Sequence, residues 1–227
     1  MAEKYYNISP YAYCANNPVN FVDPDGRRPI YSTDGYLLGT DDEGLQGDAI
    51  IMDSQNFLQG MSSDDALQYN LGVEGLINQD AISRFNESFY SLSSRPDWDG
   101  KLTLAEANEW YRNGSGQPLF VSLNKIDLSR QLSYNDTNIA GQERLVNLFV
   151  KSNSINDALV YGTITLVSYP NHRVKARFDT YNFDIKPNES ISLISRNFLT
   201  RVGKIFAGSG KGYKIHIYGS KTLKTAR

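Results

Sequence analysis

The stretch "ALVYGTITLVSYPNHRVKARFDTYNFDI", Ala158 to Ile185, decides the fold. It holds two runs of β-branched and aromatic residues, "ALVYGTITLVSY" and "RVKARFDTYNFDI", joined by "PNH", and that is the pattern of a β-hairpin with a short turn. Working outward toward the C terminus, Ile191, Ile194, Phe198, Val202 and Ile205 recur at helical spacing and predict a helix from about Glu189 to Ala207. "GSGKG" breaks it, and "YKIHIYG" from Tyr213 predicts a last strand. Alternation along that strand puts Tyr213, Ile215 and Ile217 on one face and Lys214, His216 and Tyr218 on the other.

Working outward toward the N terminus, "GQERLVNLFVK" from Gly141 to Lys151 reads as a helix and "PLFVSL" from Pro118 as a strand. Thr103 and Glu106 have the spacing of a capping box, which opens a helix to about Arg112 that buries Leu104, Ala107 and Tyr111. Ile77, Ala81, Ile82, Phe85, Phe89 and Leu92 mark one face of a helix from about Asn78 to Leu92. A short helix begins at Ser62 or Ser63 and stops at Gly72. "PIYS" from Pro29, "YLLG" from Tyr36 and "DAIIMD" from Asp48 are short strands between dense turn formers. The class is therefore α+β: a small N-terminal β-meander with helices and a helix-loop-helix, then an antiparallel sheet packed by a C-terminal helix.

The chain has 227 residues, 40% of them hydrophobic, enough to bury a core in one compact domain or two small units divided near residues 120–155. One cysteine, Cys14, excludes an internal disulfide and a cysteine zinc site. There is no basic segment followed by an apolar one at the start and no run of eighteen apolar residues, so no signal peptide and no membrane-spanning helix is written in the chain. The net charge of −2 hides an asymmetry: eight basic residues and no acid lie between Ser190 and Arg227, which leaves the first 189 residues at −10. Such a tail either docks on the chain's own acidic part or meets nucleic acid, phosphate or a membrane surface, with Arg196, Lys204, Lys211 and Lys214 as its candidate contacts.

The opening residues carry a different kind of information. "YYNISPYAYCANNPVNFVDPDGR", Tyr5 to Arg27, places Tyr11 and Tyr13, then Asn17 with Pro18, then Asp23, Pro24, Asp25 and Gly26 in order. This segment resembles the end of the repeat-associated core of Rhs/YD-repeat proteins. The resemblance implies that residues 1–27 are the end of that core and residues 28–227 the cargo, of the polymorphic-toxin type used in interbacterial competition. It implies further an exported or cell-surface location as part of a larger Rhs protein, the Rhs shell as a partner, and an immunity protein as another. Met1 fits a position inside the core's usual text, so the chain also reads as an orphan cassette, which would be cytoplasmic. Asp23 matches the aspartate of the family's self-cleavage chemistry, but the upstream core that would hold a partner acid is absent, and Asp23 reads as a turn residue.

Chemistry beyond Arg28 is less explicit. In "RPDWDGKLTLAE", Asp97, Asp99, the backbone carbonyl of Lys101 and Glu106 have the spacing of an EF-hand calcium loop with Gly100 at its turn, so calcium is the candidate cofactor. The first ligand is missing, since Arg95 stands there, and a plain helix joint closed by the capping box is the alternative. "GSGKGYK" fails as a phosphate loop because Lys211 is followed by Gly212 and the segment follows a helix. His172 and His216 have no metal-ligand spacing, though a general-base role with Arg196 or Lys214 nearby is open. In "DTYNFD", Asp179 and Asp184 are five apart on one strand and so face opposite ways, which argues against an acid pair. Three functions stay open: a toxin of unknown reaction, a non-enzymatic calcium-stabilised structural or surface-binding module, and a nuclease using the basic tail.

Overall fold

The computed structural model describes residues 28–129, 140–182 and 208–223. They divide between Leu92 and Ser93 into two compact units, ahead of the 120–155 region. Helices and sheets mix in both, which makes the chain α+β, with strand pairings that are mostly antiparallel.

In the first unit, β1 (Pro29–Ser32), β2 (Leu37–Thr40) and β3 (Ile50–Met52) form a sheet of order β2-β1-β3. β1 and β2 are an antiparallel hairpin, but β3 pairs with β1 in parallel, Ile30 opposite Ile50 and Tyr31 opposite Ile51. The expected meander is therefore corrected to a crossover. Its cause is readable afterwards: β1 and β3 are buried at every position, the signature of a strand covered on both faces, and the turn-rich residues 41–49 carry the chain across to the far edge of β1. Helix α1 (Ser63–Gln68) is capped by Ser62, which accepts from the Asp65 N–H, and α2 (Gln79–Ser91) by Asn78, which accepts from the Ala81 N–H. From α2, Phe85 and Phe89 meet Tyr31 of β1 edge to face, with ring centres 4.9 and 6.4 Å apart. Ile77, expected on the buried stripe, lies ahead of the cap and is exposed. Gly35 turns the β1–β2 hairpin at φ 81°, and a Cβ there would sit 2.2 Å from the Ala81 carbonyl oxygen, so only glycine lets α2 approach this closely.

The second unit opens with α3 (Leu104–Asn113), whose capping box forms as its spacing predicts: Thr103 Oγ1 accepts from the Glu106 N–H, and Glu106 accepts from the Thr103 N–H at 2.8 Å. β4 (Leu119–Ser122) follows. The segment expected as a helix over 141–151 is instead β5 (Glu143–Asn147) and a single helical turn, α4 (Leu148–Lys151). Only Val146 of β5 is buried, between exposed neighbours, so period two wins over the helical reading once β6 supplies a partner edge. Likewise Ala158–Tyr161, expected as strand, ends α5 (Ile155–Tyr161), which Ser154 caps and Gly162 stops at φ 60°.

β6 (Thr163–Tyr169) and β7 (Arg173–Ala176) form the predicted hairpin, with Asn171 and His172 both at positive φ in the turn. β8 (Asp179–Tyr181), β9 (Tyr213–Tyr218) and β10 (Lys221–Thr222) complete the strands. They make two sheets: an antiparallel one of order β10-β7-β6-β5, and one of order β4-β9-β8 in which β4 runs parallel to β9 and β8 antiparallel to it. Leu119, Val121, Ile215, Ile217, Ile164, Leu166 and Val174 share one core. The helix expected at 189–207 and residues 1–27 lie outside the described residues.

Candidate functional site

The EF-hand-like loop is put to a different use. The Asp97 carboxylate is buried and held by Arg95, whose Nε and Nη2 each donate at 2.9 Å, and it also accepts from the Phe120 N–H at 2.7 Å. The same Nη2 donates to the Pro118 carbonyl at 2.7 Å, and the guanidinium stacks on Trp110 and Phe120. Asp99 turns back on its own loop to accept from the Lys101 N–H, its carbonyl accepts from Lys125 Nζ, and Glu106 is committed to the capping box. Asp97, Asp99 and Glu106 are thus each occupied by a donor of the protein. Among the described residues no group of three or more His, Cys, Asp or Glu is arranged to hold a metal. Gly100 at φ 74° brings its loop against Tyr218, whose hydroxyl would lie 2.3 Å from a Cβ.

A second carboxylate is left without such partners. Asp179 opens β8 at the edge of the β4-β9-β8 sheet, opposite the buried Ile215. Its hydrogen bond is to the N–H of its own neighbour Thr180, at 2.8 Å, and among the described residues no cation pairs with it. Burial therefore dominates and pushes its carboxyl up to about 6, with the Thr180 N–H pulling weakly the other way.

The frame around Asp179 is rich in tyrosine. Two residues along β8 and on the same face, Tyr181 donates through its hydroxyl to Asn108 Oδ1 of α3 at 2.7 Å. Tyr181 stacks on Tyr213 at 5.2 Å and meets Tyr111 edge to face at 6.3 Å, while the Tyr213 hydroxyl donates to the Ala107 carbonyl at 2.9 Å. Burial pushes Tyr181 up to about 12, against the pull of the Arg112 charge. Burial also raises the buried Tyr161, helped by Asp157 and, more weakly, by Asp99 and Asp179, which places Tyr161 in the electrostatic reach of Asp179. Burial thus keeps these phenols protonated near neutral pH, whereas it moves the Asp179 carboxyl up toward that range.

His216 does not join it. It sits on the opposite face of β9, stacked on Phe120 at 5.5 Å and tilted against Phe178 at 6.0 Å, and burial with the Lys214 charge lowers its pKa. Strand alternation thus separates the two side chains that proton chemistry would want together. Lys214 Nζ lies over the Phe178 ring, and Lys211 donates its N–H to the Tyr111 carbonyl. Arg196, Lys204 and Asp184 lie outside the described residues, as do Cys14 and Asp23. His172 is a turn residue whose carbonyl accepts from the Leu223 N–H. Sequence reading named Asp179 but set it aside with Asp184. The signal in the residues is an aspartate, poorly suited to strands, that follows Phe178 and is spaced by two from Tyr181.

No family model matches the chain, and no curated protein matches it. Among solved structures it is similar to pectocin M2, with a TM-score of 0.34 and 15% identity over 53% of this chain and 49% of that one. It therefore spans about half of that protein's length. A truncated form of the bacteriocin syringacin M from Pseudomonas syringae pv. tomato gives a TM-score of 0.35 and 18% identity over 64% of this chain and 74% of that one. PaeM, a colicin M-like bacteriocin of Pseudomonas aeruginosa, gives 0.35 and 16% over 75% of this chain and 64% of that one. These TM-scores are low, and the likeness does not by itself establish a shared fold. Among the described residues no helix is long and apolar enough to cross a membrane.

Proposed function

We propose that this chain is a toxin cargo of an Rhs-type protein, acting in competition between bacteria, and that it works as a hydrolase with Asp179 as the proton-transferring group. The single observation that carries the chemistry is the half-buried Asp179 carboxylate, without a cationic partner among the described residues and with its pKa near 6. A carboxylate tuned to that range is mostly ionised at neutral pH, accepts a proton readily and returns it readily. In a hydrolysis it would take the proton of an attacking water as the new bond forms and pass it to the group that leaves. Tyr181, held by Asn108, and Tyr161 would shape the site and keep bulk solvent from it while the attacking water reaches the carboxylate.

The cargo role is supported by the ordered matches between Tyr11 and Gly26, with a folded α+β region after them. On this reading residues 1–27 join the cargo to its Rhs shell, export belongs to the larger protein, and an immunity protein protects the producing cell. Expression of the full chain in a susceptible bacterium tests it, once in the cytoplasm and once with an added leader for export. Growth arrest in one compartment, relieved by Asp179→Asn, is the expected result. Normal growth in both, with soluble folded protein, would overturn the toxin reading. Equal arrest by Asp179→Asn would leave the toxin and remove Asp179 from its chemistry.

A further inference from the structure

Independently of that site, the first unit contains a buried carboxylate in the turn after β2. Asp41 follows β2 and is fully buried. Its Oδ1 accepts three backbone N–H groups, from Arg28 at 3.3 Å, Glu43 at 2.9 Å and Gly44 at 3.1 Å, while its own N–H donates to the Arg28 carbonyl at 3.2 Å. Its Oδ2 is buried and has no hydrogen-bond partner in good geometry among the described residues. The Arg28 Nε donates to Ser63 Oγ at 3.3 Å, and the Ser63 N–H, in the first turn of α1, donates to Asp42 Oδ1 at 3.2 Å. One short loop thus ties together the residue ahead of β1, the turn after β2 and the start of α1. β1 is the central strand of its sheet, so what holds Arg28 holds the strand on which both neighbours depend.

We propose that the Thr40–Gly44 loop is a proton-operated clamp on the start of β1, closed when Asp41 is protonated and loosened when it ionises. With the charge present, three N–H groups serve one oxygen while the other is shut away from water. With the proton on, the buried charge is gone and the same three N–H groups still have an oxygen to meet. The charged groups on the elements that meet the loop are Arg28 ahead of β1, Asp42 and Glu43 within it, and Asp64 and Asp65 in the first turn of α1. Burial, only partly offset by the three backbone bonds and by the Ser63 hydroxyl, raises the Asp41 carboxyl to about 6 from 3.8. A folded-state pKa above the unfolded one makes the contribution to stability fully present below about 4, and lost as pH rises through 6. The hold on the start of the unit is thereby tied to ambient pH.

Hydrogen exchange on the full chain between pH 4.5 and 7.5 tests this, with rates corrected for the intrinsic pH dependence of exchange. The amides of Ile30 and Tyr31 should lose protection by about twenty-five-fold across that range, the part of a two-unit pKa difference that falls between those pH values. Amides of β6 in the second unit, whose own pH dependence follows Asp179, should be unaffected by Asp41→Asn. Asp41→Asn should abolish the fall and keep the protection high throughout. Protection that is independent of pH in the unmutated chain, or an undiminished fall in Asp41→Asn, would overturn the clamp. Should Asp41→Asn not fold, titration of the Asp41 carboxyl carbon in the unmutated chain decides: a midpoint near 6 upholds the clamp and one at or below 4 overturns it.

Discussion

Asp127 and Asp179 belong to the same unit and are both partly withdrawn from water, yet the protein drives them in opposite directions. Burial would raise Asp127 too, but its carboxylate accepts from the N–H groups of Ser129, Asn153 and Ser154 and from the Ser152 hydroxyl, and these bonds hold it down at about 2. Asp179 has a bond from its own neighbour's N–H, and burial wins, leaving it at about 6. At Asp127 the donors outweigh burial, and the carboxylate becomes a structural joint that fastens the loop after β4 to the start of α5. Where burial outweighs the donors, as at Asp179 and, despite three N–H groups, at Asp41, the carboxyl keeps an exchangeable proton nearer working pH.

Breaking Asp179 should have the largest effect. Asp179→Asn keeps the shape and removes the proton acceptor, so toxicity should fall by about a hundredfold to ten-thousandfold, read as the inducer dose that arrests growth. The same variant sharpens the contrast through stability. Because the folded pKa is raised, the ionised carboxylate costs stability above pH 6, so Asp179→Asn should melt higher than the unmutated chain at pH 8 and approach it toward pH 4. An inactive variant that is more stable in alkali is hard to obtain from a structural residue.

Asp127→Ala should do the opposite. It strands donors at Ser152, Asn153 and Ser154, and thermal melts at pH 7 should show a loss of about 1 to 3 kcal/mol. Here the folded pKa is depressed, so the contribution is present above about 4 and lost as pH falls through 2, and the difference between variant and parent should close in acid. Gly100→Ala, which forces a side chain onto the Tyr218 hydroxyl at positive φ, should cost about 1 to 3 kcal/mol without touching Asp179. Tyr181→Phe removes the bond to Asn108 and should cost about 1 kcal/mol. The smallest effect is expected from calcium, since Asp97 is already satisfied by Arg95. Melting temperatures in calcium and in chelator should coincide, and a rise in calcium that Asp99→Ala abolishes would restore the EF-hand reading.

Local signals were well written in the residues. Ser62, Asn78 and Thr103 announce their helices because capping is a contact between residues three apart, and the strands at Pro29, Leu119 and Tyr213 follow from short-range alternation. What was illegible is non-local. β3 pairs with β1 rather than β2, β4 pairs in parallel with β9 residues 96 positions away, and 143–147 becomes strand because β6 offers an edge. The site suffered the same way. Asp97 has calcium spacing, but its partner is chosen by where Arg95 and the Phe120 N–H come to lie. Asp179 was visible, and its lack of donors could be known only from the packing around β8.

The most direct test of the account follows the carboxyl carbons of aspartate by NMR through a pH titration of the intact chain. Asp179 should titrate at about 6 and Asp127 at about 2 in the same series of spectra. A midpoint for Asp179 at or below 4 would show an ordinary solvated carboxylate, and would contradict the assignment of proton transfer to that residue.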